Sequence, residues 1–265
     1  MKKAFIGAFA ALSMAATSAN AIAGLVDIQI GGGVWNASPS GQVTYGKTNP
    51  TEIDFADDLN LDDSSNGYVY LRFDHFIPIV PNLRLEQQNY STSGKGAITT
   101  GVTFGNITYT ATADTKTDVT LNQQDVILYW GIPGLNALTA GILDIELGID
   151  VKTIDGEITL TSSEGTDTVD FNVPVPMGYA AVLVDIPFIP VGLEVSSKMV
   201  SYGDSKIQDT KAKVDVTLPL PIPLVELAVE GGMKQQTIKI TDDLVDDLDV
   251  TFETSGIFFG ANLKF

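Results

Sequence analysis

The sequence predicts an all-β protein: a closed antiparallel transmembrane β-barrel of about ten strands, with twelve possible. Three observations carry this. Apolar and polar residues alternate with period two along most of the chain. Short proline-rich turns alternate with longer polar segments. An export signal opens a chain that has no cysteine.

The export signal comes first. Met1, Lys2 and Lys3 form a positive start, and an apolar run from Ala4 to Ala16 follows, broken only by Gly7 and Ser13. Ala19-Asn20-Ala21 or Ala21-Ile22-Ala23 supplies small residues for cleavage, so residues 1–23 read as a signal peptide cut after Ala21 or Ala23. The run is too short to span a bilayer as a helix. Residues 24–265 then form one domain, because no linker or composition shift divides them. Cleavage removes two of the 15 basic residues and none of the 33 acids, leaving a net charge of −20. Such acidity argues against nucleic-acid partners, which demand clustered Lys and Arg. The absence of cysteine excludes disulfides, thiolate metal sites and cysteine nucleophiles. A closed barrel in lipid supplies the stability that disulfides give other exported domains.

Beyond the signal, no apolar run reaches the ~18 residues of a membrane-crossing helix. The clearest alternation runs from Leu143 to Lys152. Leu143, Ile145, Leu147, Ile149 and Val151 line one face; Asp144, Glu146, Gly148, Asp150 and Lys152 line the other. Ile257, Phe259, Ala261, Leu263 and Phe265 repeat it at the C-terminus, as do Val26, Ile28 and Ile30 near the start. Val69, Leu71 and Phe73 stand against Tyr70, Arg72 and Asp74, and Leu83 and Leu85 against Arg84 and Glu86. Ala212, Val214, Val216 and Leu218 stand against Lys211, Lys213, Asp215 and Thr217; Val225, Leu227 and Val229 stand against Glu226, Ala228 and Glu230.

Proline lacks the N–H that a ladder needs. The segments 77–82, 132–136, 186–190 and 218–223 therefore read as tight turns, and 36–66, 93–118, 153–172, 203–206 and 238–249 as polar loops. Four turns and five loops join ten strands, near 25–35, 67–77, 83–92, 120–131, 138–152, 173–186, 191–202, 207–218, 224–237 and 250–265. Both ends of the mature chain then lie on the periplasmic side, with the short turns, and the longer loops face outward. Residues 102–109 suit a hairpin turning at Gly105-Asn106; in the membrane it would make twelve strands, but its few, threonine-rich apolar positions favour an extracellular extension. Closure of the last strand onto the first is expected to bring Lys264 near Asp27 inside the barrel.

The rows opposite the aliphatic ones carry Arg72, Arg84, Glu86, Asp144, Glu146, Glu194, Lys198, Lys211, Lys213, Asp215, Glu226, Glu230, Lys234 and Lys264. Facing lipid at midplane, each charge would cost ~2–4 kcal/mol. Facing inward, they fill the narrow lumen of a ten-stranded barrel and pair across strands.

Gly31-Gly32-Gly33-Val34-Trp35-Asn36, Pro39-Ser40-Gly41, Ile53-Asp54-Phe55 and Asp57-Asp58-Leu59-Asn60-Leu61-Asp62-Asp63 open the mature chain. Asn66-Gly67-Tyr68-Val69, Phe73-Asp74-His75-Phe76-Ile77-Pro78 and Pro81-Asn82-Leu83-Arg84 follow, then Val173-Pro174-Val175-Pro176, Tyr202-Gly203 and the terminal Phe265. In this order the chain resembles a family of Gram-negative outer-membrane β-barrel proteins with no assigned activity. The resemblance implies an outer-membrane location, contact with outer-membrane lipid and lipopolysaccharide, and no catalytic residue. The C-terminal aromatic on an alternating strand resembles the signal read by the barrel-assembly machinery, which implies a transient partner.

No catalytic, cofactor-binding or metal-binding residue is assigned, no cofactor is expected, and the chain reads as a non-enzyme. His75, the only histidine, lies at a strand end on the periplasmic side and reads as an interfacial or hydrogen-bonding residue rather than a base. Glu52, Asp54, Asp57, Asp58, Asp62 and Asp63, and again Asp242, Asp243, Asp246, Asp247 and Asp249, form two acidic clusters without EF-hand spacing. They read as solvated loops, or as sites where divalent cations bridge to lipopolysaccharide phosphates. The Gly31–Gly33 run has no phosphate-loop pattern and suits a bulge or a close packing spot. Strict alternation turns Trp35 inward, whereas a bulge would turn it to the membrane rim. Trp130, Phe188, Phe73 and Phe265 fit aromatic girdles. The functional expectation is a structural or surface-interaction barrel; the alternative is a narrow channel for ions or small solutes, and a barrel enzyme comes third.

Overall fold

The computed structural model describes residues 26–97, 101–110, 114–219 and 225–265. In chain order the elements are β1 (Val26–Tyr45), β2 (Ile53–Asp54), β3 (Ser64–His75), β4 (Asn82–Ala97), β5 (Val102–Phe104), β6 (Ile107–Tyr109) and β7 (Asp114–Gly131). A single helical turn, α1 (Leu135–Leu138), leads to β8 (Leu143–Ser162), β9 (Gly165–Asp185), β10 (Val191–Tyr202), β11 (Ser205–Leu218), β12 (Glu226–Ile240) and β13 (Leu248–Lys264).

Ten of these strands form the wall, in the order β1-β3-β4-β7-β8-β9-β10-β11-β12-β13, each antiparallel to the next. β13 returns to β1 in unbroken register from Tyr45↔Leu248 to Gln29↔Lys264, and Ile28 and Phe265 exchange backbone hydrogen bonds of 3.2 and 2.9 Å. The sheet is therefore a closed barrel of ten strands, as the alternation predicts. Lys264 stands opposite Gln29, two residues from the expected Asp27. β2 takes the place of β3 beside the outer end of β1. β5 and β6 form the hairpin at Gly105-Asn106, where Gly105 has φ +61°, and stay a separate two-stranded sheet outside the wall. The export signal and residues 220–224 of the last proline-rich turn lie outside the described residues.

Four of the five expected loops are corrected. Strands occupy much of 36–66, 93–118, 153–172 and 238–249; the connection expected at 153–172 shrinks to residues 163–164. The cause is that the alternation does not stop above the membrane but inverts. On β8, Glu146, Asp150 and Lys152 are buried inside, while Leu147 and Ile149 are exposed outside. Above them Ile154, Ile158 and Leu160 are the buried ones, and Asp155 and Glu157 face out. β9 repeats this with Val169, Phe171, Val175 and Met177 inside. The lower half has an apolar exterior and a polar interior, the polarity of a wall standing in lipid. The upper half has the opposite polarity, that of a barrel standing in water. Its threonine-rich stretches resemble loops in composition, yet Thr, Val and Ile at period two are strand formers.

Candidate functional site: the lumen and the two rims

The lower lumen is occupied by side chains from every wall strand. The outward row explains why. Leu147, Ile149, Val195 and Phe259 are 54%, 56%, 54% and 55% exposed, so the same strands must turn their charges inward. Arg84 meets Glu86 at 2.7 Å and Glu194 at 2.9 Å. Arg72 meets Asp74 at 2.6 Å and Glu146 at 2.5 Å. Lys152 meets Asp125 at 2.7 Å, and Lys198 bridges Glu86 (2.7 Å) and Asp125 (3.0 Å). Lys213 meets Glu194 at 3.0 Å, and Lys234 meets Asp209 at 3.1 Å.

Tyrosines complete the network. The Tyr68 and Tyr70 hydroxyls donate to the two oxygens of Glu230 at 2.8 and 2.7 Å, and Asn262 donates to Glu230 at 3.0 Å. Tyr179 donates to Glu146 at 2.8 Å and Tyr129 to Asp74 at 2.6 Å. Charge-assisted bonds of this kind lock each group in place. Between them remains a cavity of about 50 Å³, bordered by Trp35, Tyr70, Glu86, Lys198, Lys211 and Lys234. That is room for a water or two.

Above the charges the interior becomes apolar. Trp35, Ile53, Phe55, Val102, Phe104 and Tyr109 are buried with Ile154, Leu160, Phe171, Val250 and Phe252 in one cluster. The β2 segment and the β5–β6 hairpin thus fill the outer end of the barrel. Tyr109 donates to the Leu160 carbonyl at 3.1 Å, and burial pushes its phenol above the usual range.

The residues singled out by sequence fall as follows. The charged row faces the lumen, Lys264 at its periplasmic mouth. Trp35 is 1% exposed and points inward with Lys234 5.0 Å above its ring; no bulge interrupts its pairing, which the strict alternation predicts. Gly31 is a close-packing spot, since a Cβ there would come 2.3 Å from the Tyr70 ring. His75 closes a turn: its Nδ1 accepts from the Ile77 N–H at 3.2 Å, and its Nε2 lies 3.1 Å from the Pro81 carbonyl. Trp130, Phe73, Phe188 and Phe265 all gather at the periplasmic end, with the Trp130 indole donating to the Ile79 carbonyl at 3.3 Å. No aromatic of that set reaches the outer boundary.

The acidic clusters serve their own loops. Asp54 accepts from the backbone of Ala56 and Asp57, Asp242 from Asp247, and Asp249 from Asp242; Lys47 meets Asp247 at 3.4 Å. Among the described residues no three carboxylates or histidines converge as a metal site. Sequence reasoning did not single out Asp125, Asp209, Tyr129 or Tyr179. Parity would have found them: Asp125, Tyr129 and Tyr179 alternate with outward aliphatic residues, and Asp209 continues the inward row of Lys211 and Lys213.

No protein-family model matches the chain, and no curated protein matches it. Among solved structures it is similar to Ail, the attachment invasion locus protein of Yersinia pestis, in complex with the heparin analogue sucrose octasulfate. That likeness has 9% identity, covers 91% of this chain and 99% of that one, and has a TM-score of 0.38. It is also similar to the transport unit of the autotransporter AIDA-I from Escherichia coli (12% identity, 96% of each chain, TM-score 0.38). A third is the translocator domain of the autotransporter NalP from Neisseria meningitidis (10% identity, 97% of this chain, 96% of that one, TM-score 0.41).

Proposed function

We infer the role of this outer-membrane β-barrel from its build: it closes on itself, and its lower half is apolar outside and charged inside. We propose that this barrel acts through its outer surface, in a structural or surface-interaction role, and conducts nothing. One observation carries the reading. Among the described residues the interior is filled twice over, by ion pairs and tyrosines below and by an apolar plug above, and the polar cavity between the charges is about 50 Å³. A channel for ions or solutes needs a continuous polar path, and the plug is apolar.

The reading is also non-enzymatic. Both ring nitrogens of His75 are engaged in the turn that it closes, which supports a structural role for the lone histidine. Its partners are outer-membrane lipid and lipopolysaccharide along the wall, and the assembly machinery that reads the strand ending in Phe265.

Planar-bilayer recording of the refolded barrel tests this. The expected trace is flat at all voltages. Steady single-channel steps from the unmodified protein would replace this reading with the channel.

A further inference from the structure

Two prolines part the wall between β9 and β10. In an antiparallel ladder each residue sends its N–H and C=O to one neighbour, and successive residues alternate sides. Pro174 and Pro176 stay in unbroken register with Thr153 and Val151 of β8. Their nitrogens therefore face the other edge, toward β10, where they have no hydrogen to give. The β9–β10 ladder stops at Gly178↔Met199, although β10 runs on to Tyr202 and β9 continues to Gly165.

The parted strands leave a cavity of about 270 Å³, walled by Val173, Val175, Val200, Tyr202, Ile207 and Leu244. It sits at the upper edge of the lipid-facing band. Val151, beside Pro176, is the last outward aliphatic residue of β8, and Met199, 52% exposed, is the last of β10. Lys206 borders the cavity, and the register sets it opposite Lys239 on the outer face. Like charges directly opposite each other destabilise a sheet. Neither lysine forms an ion pair with any described carboxylate, whereas the lumen lysines Lys152, Lys198, Lys213 and Lys234 all do.

We infer that this opening binds a phosphorylated, acylated lipid of the outer leaflet, with an acyl chain in the cavity and a phosphate between Lys206 and Lys239. Val175 and Ile207 belong to the apolar interior, so the recess offers an acyl chain apolar walls at the level where the outward aliphatic rows end. Lys206 borders the recess and Lys239 stands opposite it in the ladder, and a bridging anion removes their repulsion. The inference rests on the membrane placement of the wall and not on the sealed lumen, so conductance does not bear on it.

The chain has no cysteine, so Ser201→Cys carries a single environment-sensitive fluorophore at the opening. The labelled barrel, refolded into phosphatidylcholine vesicles, is titrated with lipopolysaccharide. The expected result is a saturable blue shift. Lys206→Glu with Lys239→Glu moves half-saturation up by about tenfold or more. Dephosphorylated lipopolysaccharide weakens binding to the unmodified pair in the same way, a comparison that needs no lysine variant. Lys95→Glu, on β4 across the barrel, leaves it unchanged. Half-saturation indifferent to the lysines and to the phosphates overturns the site. So does a shift already complete in phosphatidylcholine alone. A shift that follows protein concentration without lipopolysaccharide overturns it in favour of a second copy of the chain.

Discussion

Arg84 shows what a single side chain does in this lumen. It is 2% exposed, lies between Glu86 and Glu194, and stacks 5.3 Å from the centre of the Tyr70 ring. Arg84→Met leaves two carboxylates facing each other with less compensation, so the barrel is expected to lose about 3 kcal/mol. Urea unfolding in lipid vesicles, followed by tryptophan fluorescence, measures it. Lys211 approaches the same two acids only at 3.8 and 3.6 Å, so Lys211→Met should cost much less. Gly31 sets the opposite kind of limit. Its missing side chain is the space that the Tyr70 ring fills while its hydroxyl bonds Glu230. Gly31→Val must displace the ring and break that bond, a loss of about 2 kcal/mol in the same assay. An unchanged midpoint would mean that the ring has room to move.

At the scale of strands, register is the testable quantity. β13 closes on β1 with Lys264 opposite Gln29. Cysteines at Gln29 and Lys264 should crosslink in the membrane, while the pair at Asp27 and Lys264 should not; the reverse result would shift the seam by two residues. This seam also shows how far the sequence reaches. Alternation and proline placement predict ten strands, their order, the inward charges and the inward Trp35. They do not predict register, because a two-residue slip keeps every side chain on its face. The polar segments misled for a physical reason. A loop and a strand in water are both polar outside, and the apolar residues that mark the strand (Ile154, Ile158, Leu160) sit on the face where the membrane half carries charge. The tyrosines and Asp125 and Asp209 of the lumen were legible from parity alone, but the distances that join them cross the barrel and have no trace in sequence spacing.

The whole molecule is two barrels end to end on one set of strands, each stabilised by a different solvent. The lower half depends on lipid outside and paired charges inside. The upper half depends on an apolar core, and that core is completed by segments that are not wall strands. Phe104 is fully buried, packs against Tyr45 with ring centres 5.1 Å apart, and belongs to the hairpin whose tip is tied by the Gly105 N–H to the Tyr45 carbonyl at 2.8 Å. A charge there has no partner inside the plug, so Phe104→Asp should expel the hairpin and loosen the upper wall. The lower network meets that core through the Trp35–Lys234 and Tyr68–Phe258 contacts rather than through the hairpin, so the lower half should stay closed. Limited proteolysis of protein in vesicles is then expected to cut between residues 98 and 113 and near 163–164 in the variant but not in the parent. Resistance of the remaining barrel to unfolding in cold SDS should persist. Loss of that resistance together with the new cuts would show that the halves fold as one unit, and that the plug holds the membrane wall as well as the outer one.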